Sequence, residues 1–173
     1  MKLVLTSRNN LFIITAIIVF ALSGCSSETT YILTEDELTW MAYENNQVVK
    51  FQSSTGLTRT YNVFGRWRGD GNAAVTILLD GDTLANNQGT LDLVKDGSGF
   101  NVTVGWPHYP VKLTPTAMLP VTDTISGIIL NDIYFSSTLS SDSIKNVRKV
   151  YYSKSLGVVQ FVESNGVTWS VKN

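Results

Sequence analysis

Cysteine is almost missing from this 173-residue chain: there is one, Cys25. A single cysteine excludes an internal disulfide, so the folded part must be held by a core. Histidine is equally scarce, with His108 alone. A Ser-His-Asp site would need that histidine beside a nucleophile, and no Gly-x-Ser-x-Gly turn accompanies it. Charged residues are few, at 16%, and form no basic stripe. That argues against nucleic acid as a partner. No polybasic segment adds attraction to a membrane, and no glycine-rich phosphate loop is present. Asp80-Gly81-Asp82 and Asp70-Gly71-Asn72 lack the alternating oxygen ligands and closing Glu of a calcium loop, and read as turns. No enzyme activity, cofactor or metal is therefore expected.

What is present begins at the N-terminus. Lys2 and Arg8 precede an uncharged run, Leu11 to Leu22. At about 12 residues it is too short for a membrane-crossing helix, which needs roughly 20. A positive start, a short apolar stretch and small residues after it make a secretory signal peptide. The next four residues, Leu22-Ser23-Gly24-Cys25, resemble the lipobox of bacterial lipoproteins. The resemblance implies cleavage of residues 1–24 and a diacylglyceryl group on the Cys25 sulfur. A thiol suits that chemistry because it is a strong nucleophile. Two or three acyl chains hold a membrane stably where one does not. Ser26 to Thr30 would form a polar tether reaching at most about 18 Å. In some Gram-negative bacteria an Asp directly after the lipidated cysteine retains a lipoprotein at the inner membrane. Ser26 stands there instead, so the analogy points to the outer membrane, facing the periplasm.

Removing the signal peptide takes away Lys2 and Arg8, leaving 11 basic against 14 acidic residues, a net charge of −3. The remaining chain suits one domain, residues 31–173, and a chain of about 150 residues buries roughly 70% of its unfolded surface. Thr34 with Glu37 three residues on makes a capping box. A short helix is expected through Leu38, Trp40, Met41 and Tyr43, ended by Asn45-Asn46, with its aromatic side on a sheet. Three carboxylates in its first turn suit the helix dipole rather than a metal.

The rest alternates as strands do. Leu57, Arg59, Tyr61 and Val63 lie on one side of such a strand, and Thr58, Thr60 and Asn62 on the other. Asp96-Gly97-Ser98-Gly99 and Asn165-Gly166 mark hairpins. All four prolines fall between Pro107 and Pro120, which predicts a loop or irregular edge there. Val48-Val49-Lys50-Phe51 with Ser54, Gly56 and Thr58 recurs as Val158-Val159-Gln160-Phe161 with Ser164, Gly166 and Thr168. Shared hairpin grammar accounts for the echo; two equivalent hairpins closing the ends of one sheet would also produce it. The expected fold is all-β: an antiparallel sandwich or partly open barrel of about eight to ten strands with one short N-terminal helix.

Lys149 to Lys154 (KVYYSK), Leu156 to Phe161 and Asn165 to Trp169 resemble the ending of many small uncharacterised bacterial lipoproteins. That likeness implies an all-β lipoprotein domain and no particular activity. Gly65-Arg66-Trp67 is similar to the Gly-x-Trp of lipocalins, which implies a barrel holding a small apolar ligand. Arg66 and Arg68 flank Trp67 at a spacing that could grip an anion or stack on aromatics, or simply form the solvated side of a strand. Trp106, His108 and Tyr109 could form an aromatic contact surface, or cover the edge of a core. These six residues are the ligand-binding candidates, and Cys25 the lipidation site. The function expected is a membrane-anchored, non-catalytic binding or structural module of the bacterial envelope, with an envelope protein as partner. The alternative is a carrier of a small apolar ligand.

Overall fold

The computed structural model describes residues 30–70, 72–81, 89–106, 109–137 and 147–172. The chain divides after Thr30, and the folded unit is Tyr31 to Asn173. It opens with one helix, α1 (Glu35–Leu38). Then come strands β1 (Val48–Ser53), β2 (Thr58–Asp70), β3 (Asn72–Gly81), β4 (Gly89–Asp96), β5 (Gly99–Trp106) and β6 (Tyr109–Leu113). A 3-10 turn at Pro115–Ala117 leads to β7 (Val121–Ile125), β8 (Ile128–Ser137), β9 (Val147–Ser153), β10 (Gly157–Glu163) and β11 (Thr168–Val171). The unit is all-β and antiparallel, as expected.

The strands hydrogen-bond in the order β6-β5-β4-β3-β2-β1-β11-β10-β9-β8-β7. The two outer strands do not pair with each other, so no ring of ladder bonds closes. Instead the sheet curls until β6 packs against β8 and β9. Inward residues of both halves then share one core. It includes Val49 and Phe51 of β1, Tyr61 and Val63 of β2, Leu91 and Leu93 of β4, Val102 and Val104 of β5, and Phe161 of β10. Each such side chain contributes about 1.5–3 kcal/mol when taken out of water. A smaller cluster forms on the opposite side of β9 and β10, where Ile125, Leu130 and Ile133 pack on Val159 and Tyr151. The β7–β8 turn is fixed there by Ser126 Oγ donating to the Val171 carbonyl at 2.5 Å.

The proline-rich stretch takes the edge form of the loop or irregular edge expected for it. Tyr109 to Leu113 pairs with β5, and Pro110 sits opposite Gly105. The missing N–H of Pro110 is harmless because β6 is an outermost strand. Val121 to Ile125 is the other outermost strand, and with these two the count is eleven rather than the expected eight to ten. The helix is also shorter than predicted. The capping box is present, with Glu37 N–H on Thr34 Oγ1 at 3.3 Å and Thr34 N–H on Glu37 Oε2 at 2.7 Å. Yet α1 stops at Leu38, and Trp40 and Tyr43 are buried from the irregular chain that follows.

The echoed segments form matching turns. Gly56 N–H donates to the Ser53 carbonyl at 3.0 Å, and Gly166 N–H to Glu163 at 2.9 Å, with φ of +88° and +84°. These are three-residue loops with glycine in the left-handed position. The two hairpins, β1–β2 and β10–β11, lie side by side in the middle of the order. They do not close its ends, which leaves shared hairpin grammar as the explanation.

Candidate functional site

Cys25 and His108 lie outside the described residues. Arg66, Trp67 and Arg68 are in β2, opposite Thr76, Val75 and Ala74, in a register unbroken from Tyr61 to Asp70. Trp106 and Tyr109 are register partners where β5 meets β6. The structure does not bring these two groups together. Trp67 shares a row with Val75, Leu93 and Val102, whereas Trp106 is four residues further along β5 and three strands from β2. At about 3.3 Å per residue and 4.8 Å per strand, they stand roughly 20 Å apart along the sheet.

In an antiparallel order the turns alternate between two ends. The β2–β3, β4–β5, β7–β8 and β9–β10 turns share one end. The chain enters the domain at that same end, since the Tyr31 hydroxyl lies against Gly97 in the β4–β5 turn. From there residues 31–46 run into the curl and fill it. The Trp40 ring meets Phe100 of β5 at 6.0 Å, Tyr134 of β8 at 4.7 Å and Tyr152 of β9 at 6.2 Å. The Tyr152 hydroxyl donates to the Trp40 carbonyl. The Tyr43 hydroxyl accepts the Val158 N–H at 2.7 Å. At the surface Lys95 Nζ reaches Glu37 Oε2 and Lys154 Nζ reaches Asp36 Oδ1, each at 2.9 Å. The entry end is thus plugged by the chain's own N-terminal segment.

The plug has its own electrostatics. Partial burial raises the Glu37 carboxyl, but hydrogen bonds from the Thr34 N–H, Lys95 and the Thr34 hydroxyl outweigh it and hold the carboxyl below its usual range. Burial pushes the Tyr43 hydroxyl well up, against the hydrogen bond at Val158. It does the same to Tyr152, with Tyr43 adding to the effect. Both phenols therefore stay neutral in the fold to higher pH than in the unfolded chain. Their contribution is complete below the unfolded value near 10 and is lost as pH rises above it, by up to about 1.4 kcal/mol per pH unit for each group. Alkaline unfolding should therefore set in above about pH 10, with the last two tyrosinates appearing together with loss of near-ultraviolet circular dichroism. Complete ionisation of all the tyrosines while the circular dichroism is still native would contradict this.

At the opposite end, sequence reasoning missed a second aromatic assembly. The Arg59 guanidinium lies 3.8 Å from the centre of the Trp169 ring, and its Nη1 is 2.6 Å from Glu163 Oε1. Trp169 stacks in turn on Phe161 at 6.0 Å. Arg59 was legible only as one member of an alternating strand, because its partners lie about a hundred residues away.

The Ser153 hydroxyl donates straight to Asp132 at 2.9 Å, with no imidazole between them among the described residues. It also accepts the Ser155 and Leu156 N–H groups at 3.2 Å, which is the work of a turn clamp. Among the described residues no three His, Cys, Asp or Glu side chains converge as metal ligands. No family model, curated protein or solved structure matches this chain.

Proposed function

We propose that this chain is a lipid-anchored, non-catalytic module of the bacterial cell envelope. It is held through Cys25 at the outer membrane, faces the periplasm, and acts by binding another envelope component. The observation that carries the proposal is Leu22-Ser23-Gly24-Cys25 directly after a charge-free run with a basic start. A folded unit that begins at Tyr31, six positions after the cysteine, fits a domain hung on a short tether. The carrier alternative needs room inside the curled sheet. Trp40, Tyr43, Phe51, Tyr61 and Phe161 occupy that interior, which weighs against it.

The test is Cys25→Ser in the full chain, expressed in a lipoprotein-processing bacterium with radiolabelled palmitate. The unchanged protein should take up label and sediment with membranes. The variant should lose the label and fall in the membrane fraction by about tenfold or more, since no second anchor replaces the acyl chains. A variant that stays on membranes, or an original that takes up no label, would refute the anchor. Cross-linking in intact cells addresses the binding role, and recovery of no specific partner would count against it.

A further inference from the structure

We infer that the entry end of the domain rests on the phospholipid surface carrying the anchor, touching it through Ile32, Ile129, Leu156 and Val48. The inference depends on the proposed lipidation of Cys25. Its motive is a set of large apolar side chains left in water at one end. Ile32 is 71% exposed, Ile129 75%, Val48 53% and Leu156 40%. Ile32 lies just before α1, and Val48 opens β1. Leu156 is in the β9–β10 turn, and Ile129 follows the β7–β8 turn.

Polar contacts link most of these positions. Asp36 of α1 pairs with Lys154, two residues from Leu156. The Asp132 carboxylate, three residues from Ile129, takes the Ser155 N–H at 3.0 Å and the Ser155 hydroxyl at 3.0 Å. The rim is therefore braced against the plug rather than carried on free loops.

Chain length names the occupant. The domain's first residue, Tyr31, lies at this end. Only Ser26 to Thr30 separate it from Cys25, a reach of at most about 18 Å. A lipid on Cys25 therefore holds the entry end, and no other, within that distance of the headgroups. Tethering converts contact into an intramolecular event, so a few aliphatic side chains that would not bind a bilayer alone suffice to bias the orientation. Charge selects the lipid. Glu35, Asp36, Glu37, Asp96 and Asp132 narrowly outnumber Lys95, Lys112, Lys154 and Lys172 here. Zwitterionic headgroups fit this end, and anionic lipid should weaken the contact.

The absence of any other cysteine supplies the test. Ile129→Cys, Leu156→Cys and, as a control, Leu57→Cys would each be made in the lipidated full chain. Leu57 is 64% exposed but lies at the β1–β2 turn, at the opposite end. A thioether at Cys25 leaves only the introduced thiol free to take an environment-sensitive dye. Each protein is reconstituted in phosphatidylcholine–phosphatidylethanolamine vesicles containing doxyl-labelled lipid. Dyes at 129 and 156 should shift to the blue and lose most of their emission, while the dye at 57 keeps its emission. Added phosphatidylglycerol should reduce the quenching. If the proteins float with the vesicles yet 129 and 156 are unquenched, or all three are quenched alike, the orientation is wrong and the anchor stands. If Cys25 itself takes dye and the protein does not float, the anchor fails and the orientation fails with it.

Discussion

Replacing Gly157 with alanine should destabilise the domain by about 3–4 kcal/mol, an unusual cost for one methyl group. Two effects add. Gly157 has φ +80°, where an L residue costs about 1–2 kcal/mol. The new Cβ would also stand 2.4 Å from Tyr43 Cζ and 2.7 Å from its hydroxyl. That ring is buried and tied to the neighbouring Val158 N–H, so it has nowhere to retreat. Overpacking of this kind costs typically about 1–3 kcal/mol. Gly166 separates the two terms, because it has φ +84° but nothing within 4 Å of its Cβ direction. Gly166→Ala should show only the backbone part in urea unfolding. In a Tyr43→Ala background the cost of Gly157→Ala should shrink towards the same value. Equal costs for the two glycines in the unmodified protein would refute the collision.

Trp40→Ala should be comparably severe, at about 3–5 kcal/mol. The reason is where the ring sits. Its neighbours come from β5 on one side and from β8 and β9 on the other, strands far apart in the hydrogen-bonded order. Backbone bonds do not join those halves, so side chains must. Removing the indole deletes three aromatic contacts and opens a cavity at the seam. Amide exchange should rise first in β6 and β8, which meet across it. A loss below about 1 kcal/mol, or one without faster exchange at the seam, would show that Trp40 merely fills space.

Nine of the strands were legible from alternation and turn residues, as in β1, where exposed and buried positions alternate without a break. The two outermost strands were not. Proline normally marks the end of a strand, and only the strand order reveals that β6 leaves its outer side unpaired. The helix start was legible, since Thr34 and Glu37 are a local signal. Its early end was not, because the hydroxyl of Tyr152, 112 residues away, holds the Trp40 carbonyl. For the same reason the candidate binding residues could not be grouped in advance. Trp67 and Trp106 are both aromatic residues in strands, and nothing local says that register places them far apart.

The position of β11 has a consequence for how the protein is made. The last strand of the chain lies between β10 and β1, in the middle of the sheet. Synthesis proceeds from the N-terminus, so the earlier hairpins can emerge and pair while that slot stays empty. Until Thr168 to Val171 arrive, β1 and β10 each present a bare edge to whatever is nearby. The four-residue β11 is a keystone: the arch is two loose arms before it is set. Assembly thus waits for Thr168 to Val171, and a chain broken off before them fails as a whole rather than in part.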